Sequence, residues 1–209
     1  IMARLLVGDN ADLHSIECYD PSAGTGTLLM ALGHQIGEDR CTIFSQDISQ
    51  RSNKMLKLNL ILNGLVSSLD HAVQGDTLTS PYHKSDDGQQ LRQFDFVVSN
   101  PPFKMDFSDT REKIAAMPAR FWAGVPSIPK KKKEKMAIYT CFIQHVVNSL
   151  KKNGKGAIVV PDEDLAVGVF PPVKFALEAD AHYRIVILSD HSVNKDCTCA
   201  CYTNVAGKF

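Results

Sequence analysis

The sequence lacks three features that would each define a class of protein. No apolar stretch is long enough to span a bilayer, and the amino terminus lacks the pattern of a secretion signal. Charge is balanced, since 23 Lys and Arg residues face 23 Asp and Glu residues, so net charge does not indicate a nucleic-acid partner. Six scattered cysteines are too few for a disulfide scaffold in a chain this long. These absences favour a reduced, cytoplasmic protein without a membrane partner.

The length of 209 residues suits one sizeable core with a small appendage. The chain opens with a helical pattern over residues 1–6 that Gly8 ends. Because a true amino terminus seldom begins inside a helix, we expect a domain taken from a longer protein.

Short apolar runs alternate with amphipathic stretches along the chain. The predicted strands are 15–20, 41–46, 71–74, 94–99 and 155–161, and the predicted helices are 27–36, 50–62 and 136–150. This alternation indicates βαβ units, and therefore a doubly wound, mostly parallel α/β sheet with helices on both faces. Beyond Pro161 the pattern weakens to a helix over 173–181 and strands over 183–188 and 198–205.

Three details follow from the same patterns. The apolar face predicted for the helix over 50–62 carries Met55, Leu58, Ile61 and Leu62. Asn153 and Gly154 are predicted to end the helix over 136–150. Cys18, Cys41 and Cys141 are predicted inside strands or a helix, where a thiol acts as a small hydrophobe.

Four polar segments fall at the carboxyl ends of predicted strands, where open parallel sheets bind ligands. They are the turn Asp20–Gly26, Asp47, Asp76, and the tetrapeptide Asn100–Phe103. In the turn, Gly24 and Gly26 allow close approach of a ligand, and the following helix favours a carboxylate or phosphate. A dinucleotide fingerprint would need glycine at position 29, which is leucine.

The acidic residues indicate an adenosine-containing ligand. Asp47 lies about twenty residues beyond the turn, where a carboxylate can accept both ribose hydroxyls. Asp76 could accept a hydrogen bond from an adenine amine. S-adenosylmethionine fits these residues, although each Asp alone is more often a turn or cap residue.

The tetrapeptide Asn100-Pro101-Pro102-Phe103 offers two neighbouring acceptors, the Asn100 side chain and the Pro101 carbonyl, with an aromatic plate beside them. That arrangement suits a planar ligand with an exocyclic amine. The alternative is a strand that ends in a stiff turn.

Together, Asp20-Pro21-Ser22-Ala23-Gly24-Thr25-Gly26 and Ser99-Asn100-Pro101-Pro102-Phe103 resemble the motifs of DNA adenine-specific (N6) methyltransferases. The likeness is strongest to the modification subunit of type I restriction-modification systems, and Gln46-Asp47, Gln74–Leu78 and Phe142–His145 add to it. It implies a catalytic core over 1–161 and a poorly matched continuation of the same domain over 162–209. The family's N-terminal helical domain and an aromatic-Thr-Pro segment are not matched.

The resemblance also implies an S-adenosylmethionine-dependent, Rossmann-like methyltransferase. The residues implied to bind S-adenosylmethionine are Asp20, Ser22, Ala23, Gly24, Gly26, Thr27, Leu28, Asp47, Ile48, Asp76, Thr77 and Leu78. The implied catalytic set is Asn100, Pro101, Pro102 and Phe103, which would hold a flipped adenine of duplex DNA without a metal. The implied partners are a DNA-specificity subunit and a restriction subunit.

Other functions stay open at this point. A methyltransferase of a protein glutamine or an RNA adenine would use the same tetrapeptide, although such relatives usually carry Tyr in place of Phe103. A non-catalytic donor-binding module is a further alternative. The run Lys130–Lys135 could contact DNA phosphates or form a solvated loop. His145 reads as a helix residue rather than a catalyst, and Cys197, Cys199 and Cys201 lack the spacing of a metal knuckle.

Overall fold

The computed structural model describes residues 2–8 and 13–161, together with the backbone of 184–189 and 203–204. Two 3-10 turns, Val66–His71 and Lys133–Lys135, accompany the regular elements. In chain order these elements are α1 (Met2–Val7), β1 (Ile16–Asp20), α2 (Thr27–Ile36), β2 (Cys41–Asp47), α3 (Gln50–Leu62), β3 (Ala72–Gln74), β4 (Phe94–Ser99), α4 (Arg111–Ala115), α5 (Tyr139–Asn148), β5 (Leu150–Val160), β6 (Arg184–Ser189) and β7 (Thr203–Asn204).

The sheet has the strand order β3-β2-β1-β4-β5-β6-β7. Neighbouring strands from β3 to β6 are parallel, and β7 pairs antiparallel with β6. Strand β1 has β2 on one side and β4 on the other, because Tyr19 pairs with both Phe44 and Val97. The strand order therefore switches between β1 and β4, and the carboxyl ends of β1 to β4 share one edge.

Each face of the sheet carries its own apolar core. On one face, α1, α2 and α3 contribute to a core that includes Leu29 of α2, Leu56 of α3 and Phe96 of β4. On the other face, α5 covers Tyr19 and Phe94. Helices on both faces of a mostly parallel sheet confirm the doubly wound prediction.

The bounds predicted for α3 are confirmed, but its predicted apolar face does not pack on the sheet. Met55, Leu58, Ile61 and Leu62 are 45%, 46%, 51% and 72% exposed. The buried residues are instead Asn53, Leu56 and Leu60. The helix carries more apolar residues than one face can bury, and Leu56 and Leu60 are the two that join the apolar core beside the sheet.

The prediction that Asn153 and Gly154 end a helix is wrong. Helix α5 ends at Asn148, and both residues lie inside β5. They form an irregularity in the pairing with β4, where Phe94 pairs with Leu150 but Phe96 pairs with Lys155. A Cβ at Gly154 would lie 2.9 Å from the carbonyl oxygens of Lys151 and Phe94, so a glycine is required there.

Cys18, Cys41 and Cys141 are buried free thiols in strands or a helix, as predicted. The predicted helix over 173–181 and the strand face of Cys197, Cys199 and Cys201 lie outside the described residues. In the part of the chain that the structure describes, no helix has the length and apolar character needed to cross a membrane.

Candidate functional site

The structure brings the four predicted segments to one edge of the sheet. Asp20 and Asp47 are the last residues of β1 and β2, and Asp76 lies two residues beyond β3. The tetrapeptide Asn100–Phe103 follows directly on β4. Hydrogen bonds join the segments: Thr77 Oγ1 donates to the Pro21 carbonyl at 2.7 Å, the hydroxyls of Ser22 and Ser99 lie 2.7 Å apart, and the Gly24 N–H donates to Asp47.

Asp20 is a buried carboxyl at the floor of this edge. Its Oδ1 accepts hydrogen bonds from the backbone N–H of Ser22 at 2.9 Å and from the Ser22 hydroxyl at 3.3 Å. Burial nevertheless raises the pKa of Asp20 to about 7, and the nearby Asp47 carboxylate acts in the same direction. A ligand ammonium group at Asp20 would stabilise the ionised carboxylate by its opposite charge, so this carboxyl fits the amino group of a methionine moiety.

The glycine turn leaves room for a ligand above Asp20. Gly24 has a φ of +53°, and a Cβ built there meets no atom within 4 Å. Gly26 has a φ of +85° and precedes α2, and a Cβ there would lie 3.0 Å from Leu56 Cγ. The first glycine keeps space open, whereas the second lets the backbone before α2 lie close to the Leu56 side chain of α3.

The remaining predicted residues of the turn differ in exposure. The side chain of Ala23 is buried, Ser22 and Leu28 are half-buried, and Thr27 is exposed. Ala23 donates its backbone N–H to the Gln46 carbonyl at 3.3 Å, which ties the turn to β2. A ligand at this edge can therefore reach Ser22 and Thr27 more easily than Ala23.

Asp47 connects two segments of the site. Its Oδ2 accepts the backbone N–H of Gly24 at 2.8 Å, and its Oδ1 accepts that of Ser49 at 2.8 Å. A carboxylate has about four lone-pair sites, so both oxygens can also accept ribose hydroxyls. Ile48 follows with 65% of its surface exposed, and it presents an apolar side chain beside Asp47 at the same edge.

Asp76 acts as a local cap as well as a candidate ligand contact. Its Oδ1 accepts the Leu78 backbone N–H at 2.9 Å, and its Oδ2 accepts the Thr79 hydroxyl at 2.7 Å. Thr77 is buried, and Leu78 packs into the core on the α5 face. Asp76 thus keeps acceptor capacity toward the edge, whereas the Leu78 side chain points into the core.

The tetrapeptide after β4 combines exposed and anchored residues. Asn100 and Pro102 are exposed, while Pro101 is buried. Phe103 is half-buried and packs against the apolar cores of both faces. The Asn100 side chain is therefore accessible to a ligand, and Phe103 is held beside it by packing.

Arg120 is a buried residue of this region that the sequence patterns did not single out. It is 8% exposed, and its Nη2 donates to the Thr77 carbonyl at 2.7 Å. Asn148 on α5 donates to the Arg120 carbonyl at 3.0 Å, which fixes the backbone of the loop. Burial lowers the pKa of Arg120 to about 10, so it remains a cation at neutral pH. It lies in a segment without periodicity, where no sequence signal marks it.

His145 lies inside α5 and is buried, as predicted for a helix residue. Its Nε2 lies 3.2 Å from the Tyr19 hydroxyl, and burial holds its pKa well below the usual range. The neighbouring Gln144 accepts the Ala123 N–H at 2.8 Å and donates to the Gly124 carbonyl at 2.9 Å. The motif Phe142–His145 therefore supports the loop and the apolar core.

The arrangement fits S-adenosylmethionine. Asp20 is a buried carboxyl that can accept a hydrogen bond from an ammonium group, Gly24 leaves open space, and Asp47 and Asp76 are acceptors at the next two strand ends. Adjacent to them, Asn100 offers an acceptor for a second, planar ligand.

Comparison with known proteins agrees with this site. A family model described as N-6 DNA Methylase matches residues 1–169. The methylase subunit of the type I restriction enzyme MpnII from Mycoplasma pneumoniae is 23% identical over 76% of this chain and 29% of its own length. That of MjaIX from Methanocaldococcus jannaschii is 27% identical over 87% of this chain and 32% of its own length. The chain thus spans about a third of the length of these relatives.

Two solved structures share the fold. The methyltransferase subunit of a type I restriction-modification system from Streptococcus thermophilus superposes with a TM-score of 0.63 at 18% identity, over 97% of this chain and 48% of that one. A class I S-adenosylmethionine-dependent methyltransferase from Listeria monocytogenes gives 0.57 at 14% identity, over 94% and 54%. The predicted Rossmann-like methyltransferase fold and the resemblance drawn from the two motifs are both confirmed, and the chain belongs to the N-6 DNA methylase family.

Proposed function

We propose that this chain is the core of an enzyme that transfers a methyl group from S-adenosylmethionine to the exocyclic amine of adenine in duplex DNA. The observation that carries this proposal is the 2.7 Å contact between the hydroxyls of Ser22 and Ser99. It joins the turn that would hold the methyl donor to the strand that presents Asn100. Donor and base would then meet at one point of the sheet edge.

Different residues would bind different parts of S-adenosylmethionine. Asp20 would accept the ammonium of the methionine moiety, and Ser22, Gly24, Gly26, Thr27 and Leu28 would surround that end. Asp47 would accept the ribose hydroxyls, with Ile48 against one face of the adenine. Asp76 and the backbone of Thr77 and Leu78 would lie at the edge of the adenine, where its amine can donate a hydrogen bond.

The tetrapeptide Asn100–Phe103 would activate the adenine amine, which is a poor nucleophile. The lone pair of an adenine amine is delocalised into the ring, so the amine must be drawn toward tetrahedral geometry before it attacks. The Asn100 side chain and the Pro101 carbonyl would accept its two hydrogens and stabilise the positive charge that develops on nitrogen. Phe103 would stack on the base, and Pro101 and Pro102 would keep the two acceptors in place.

S-adenosylmethionine supplies an electrophilic methyl carbon on a sulfonium. The amine nitrogen forms the new N–C bond while the C–S bond breaks, and its electron pair returns to sulfur. The nitrogen then releases one proton to solvent, so no strong base is required. The adenine would have to leave the duplex, which costs a few kcal/mol of unstacking.

The relatives with matching sequences are named methylase subunits of type I restriction enzymes. We infer that this chain likewise works in the cytoplasm with a DNA-specificity subunit and a restriction subunit.

The test is transfer of a labelled methyl group to duplex DNA that contains adenine, with duplex RNA and a glutamine-containing protein as parallel substrates. Asn100→Ala should abolish the label in DNA while binding of S-adenosylmethionine stays within about twofold. Asn63→Ala, an exposed asparagine at the end of α3, is the matched control. Label in RNA or protein alone, or donor binding without any transfer, would refute the proposal in favour of one of those alternatives.

A further inference from the structure

Five lysines occupy residues 130–135 and form what we call the lysine surface: Lys130, Lys131, Lys132, Lys133 and Lys135. All five are exposed, and Glu134 is the only acidic residue among them. No carboxylate among the described residues lies within ion-pair distance of these ammonium groups. In a chain whose net charge is zero, this is a strong local concentration of positive charge.

The lysine surface lies beside the tetrapeptide after β4. The backbone N–H of Met105 donates to the Met136 carbonyl at 3.2 Å, so the residues that follow Phe103 run next to those that follow the lysines. Phe103 packs against the same apolar core that contains Met136. The pKa of Asp106 is lowered chiefly by hydrogen bonds from Ser108, and the charge of Lys133 adds to this effect. These contacts put the positive charge at the edge where Asn100 is exposed.

The segment that leads into the lysine surface is anchored. Gln144 on α5 holds Ala123 and Gly124 through two hydrogen bonds of 2.8 and 2.9 Å. Arg111 donates from Nε to the Pro126 carbonyl at 3.1 Å. Because these contacts fix the approach of the loop, a ligand that binds the lysines has less backbone to order.

A groove of about 640 Å³ runs along the same segment. Its lining includes the apolar residues Val125, Pro126 and Pro129 together with Lys131, Lys132 and Lys135. A groove that offers both apolar surface and ammonium groups matches the sugars and phosphates of a nucleic-acid strand.

We propose that the lysine surface binds backbone phosphates of the DNA duplex next to the adenine that enters the site. That the ligand is duplex DNA rests on the proposed function, whereas the charge and position of the lysines are properties of the structure itself. Lysine ammonium groups bind phosphate as point charges and read no sequence. The lysine surface would therefore hold the duplex in place beside Asn100, and it would leave recognition of the sequence to other groups.

The test is the salt dependence of duplex binding, measured by fluorescence anisotropy of a labelled duplex between about 50 and 200 mM salt. The variant is Lys131→Gln/Lys132→Gln/Lys135→Gln. Each lost phosphate contact should reduce the slope of log affinity against log salt concentration by about 0.9. We expect a reduction of up to about 2.7 for three contacts and at least a tenfold weaker affinity at the lower salt concentration.

A second variant with the same change in charge provides the control. Lys57→Gln/Lys84→Gln/Lys152→Gln alters three exposed lysines on α3, on the β3–β4 connection and near the start of β5. These positions do not border the tetrapeptide, so the slope should stay within about 0.9 of the wild-type value. Urea unfolding of both variants checks that neither has lost its fold.

Three results would overturn the proposal: equal slopes for both variants, no duplex binding by the wild-type chain, or tighter binding of duplex RNA than of DNA through these lysines. Methyl transfer is scored separately. A wild-type chain that binds DNA through the lysine surface but transfers no methyl group would refute the proposed function and leave this inference standing. Methyl transfer to DNA that is equally fast in wild type and in the lysine variant would support the proposed function and refute this inference.

Discussion

Arg120 Nη2 donates a 2.7 Å hydrogen bond to the carbonyl oxygen of Thr77, whose own hydroxyl donates at 2.7 Å to the Pro21 carbonyl. A cation in the loop after the tetrapeptide is thus joined to the end of β3 and, through Thr77, to the glycine turn. The loop that follows the tetrapeptide is therefore connected to the glycine turn through buried groups.

Arg120→Met should therefore weaken donor binding. The Thr77 carbonyl would lose a charged hydrogen bond, which is worth about 1.5–3 kcal/mol, so affinity for S-adenosylmethionine should fall at least about tenfold. Isothermal titration calorimetry measures this change. Arg111→Met is the control, because Arg111 donates to Val125 and Pro126 in the same loop. Equal losses in the two variants would contradict a specific role for Arg120.

The stability of the protein should depend on pH through Asp20. Burial raises its pKa from 3.8 to about 7, so between these values the folded protein keeps a proton that the unfolded chain has released. The unfolded state then binds fewer protons, and the free energy of unfolding decreases as pH rises through this window. Relative to Asp20→Asn, which does not titrate, the wild type should lose up to about 4 kcal/mol between about pH 4 and pH 7.

Urea unfolding of both proteins across that pH range gives the difference directly. Other carboxyl groups, such as Glu17 with its lowered pKa, contribute to both proteins alike and cancel. A difference between wild type and variant that does not change with pH would show that Asp20 is ionised throughout.

The face of α3 that packs on the protein can be tested with two leucines. Leu60→Ala removes a fully buried side chain and should lower the free energy of unfolding by about 2–5 kcal/mol. Leu58→Ala changes the same residue type on the exposed face and should stay within about 0.5 kcal/mol of wild type. Chemical denaturation measures both losses. A larger loss for Leu58→Ala than for Leu60→Ala would mean that the face predicted from the sequence is the buried one.

Tyr19→Phe should destabilise the core without affecting donor binding. The substitution removes the hydroxyl that faces His145 Nε2, and His145 Nδ1 has no partner among the described residues. A buried imidazole without hydrogen bonds should cost about 1–3 kcal/mol of unfolding free energy. Tyr82→Phe, at an exposed tyrosine, is the control. A loss of S-adenosylmethionine affinity in Tyr19→Phe with unchanged stability would contradict this purely structural role.

Local signals predicted the elements that frame the site. The bounds of α3 follow from Ser49, whose hydroxyl accepts the Ser52 N–H, and from the Asn63-Gly64 stop. The bounds of β4 follow from an apolar run that stops at Asn100. In both cases residues adjacent in sequence decide the outcome, so the pattern is sufficient.

Tertiary contacts decided what the patterns missed. The packed face of α3 is set by its contacts with β2, β3 and the turn Val66–His71, which no period within α3 can reveal. Asn153 and Gly154 are residues that often end a helix, yet they lie inside β5. Strand β4 pairs with β5 both before and after them, at Leu150 and at Lys155. Arg120 acquires its role only from a partner 43 residues away.

The pairing of β1 with β4, in which Cys18 lies opposite Phe96, has a consequence for how the site forms. Parallel strands so far apart in the chain pair only after a costly loop closure, and such contacts form slowly. During synthesis, the turn after β1 exists long before the strand that completes its edge has left the ribosome. The ability to bind the methyl donor and the adenine together should therefore arise late in folding. It requires the paired strands β1 and β4, and the glycine turn after β1 is not sufficient for it.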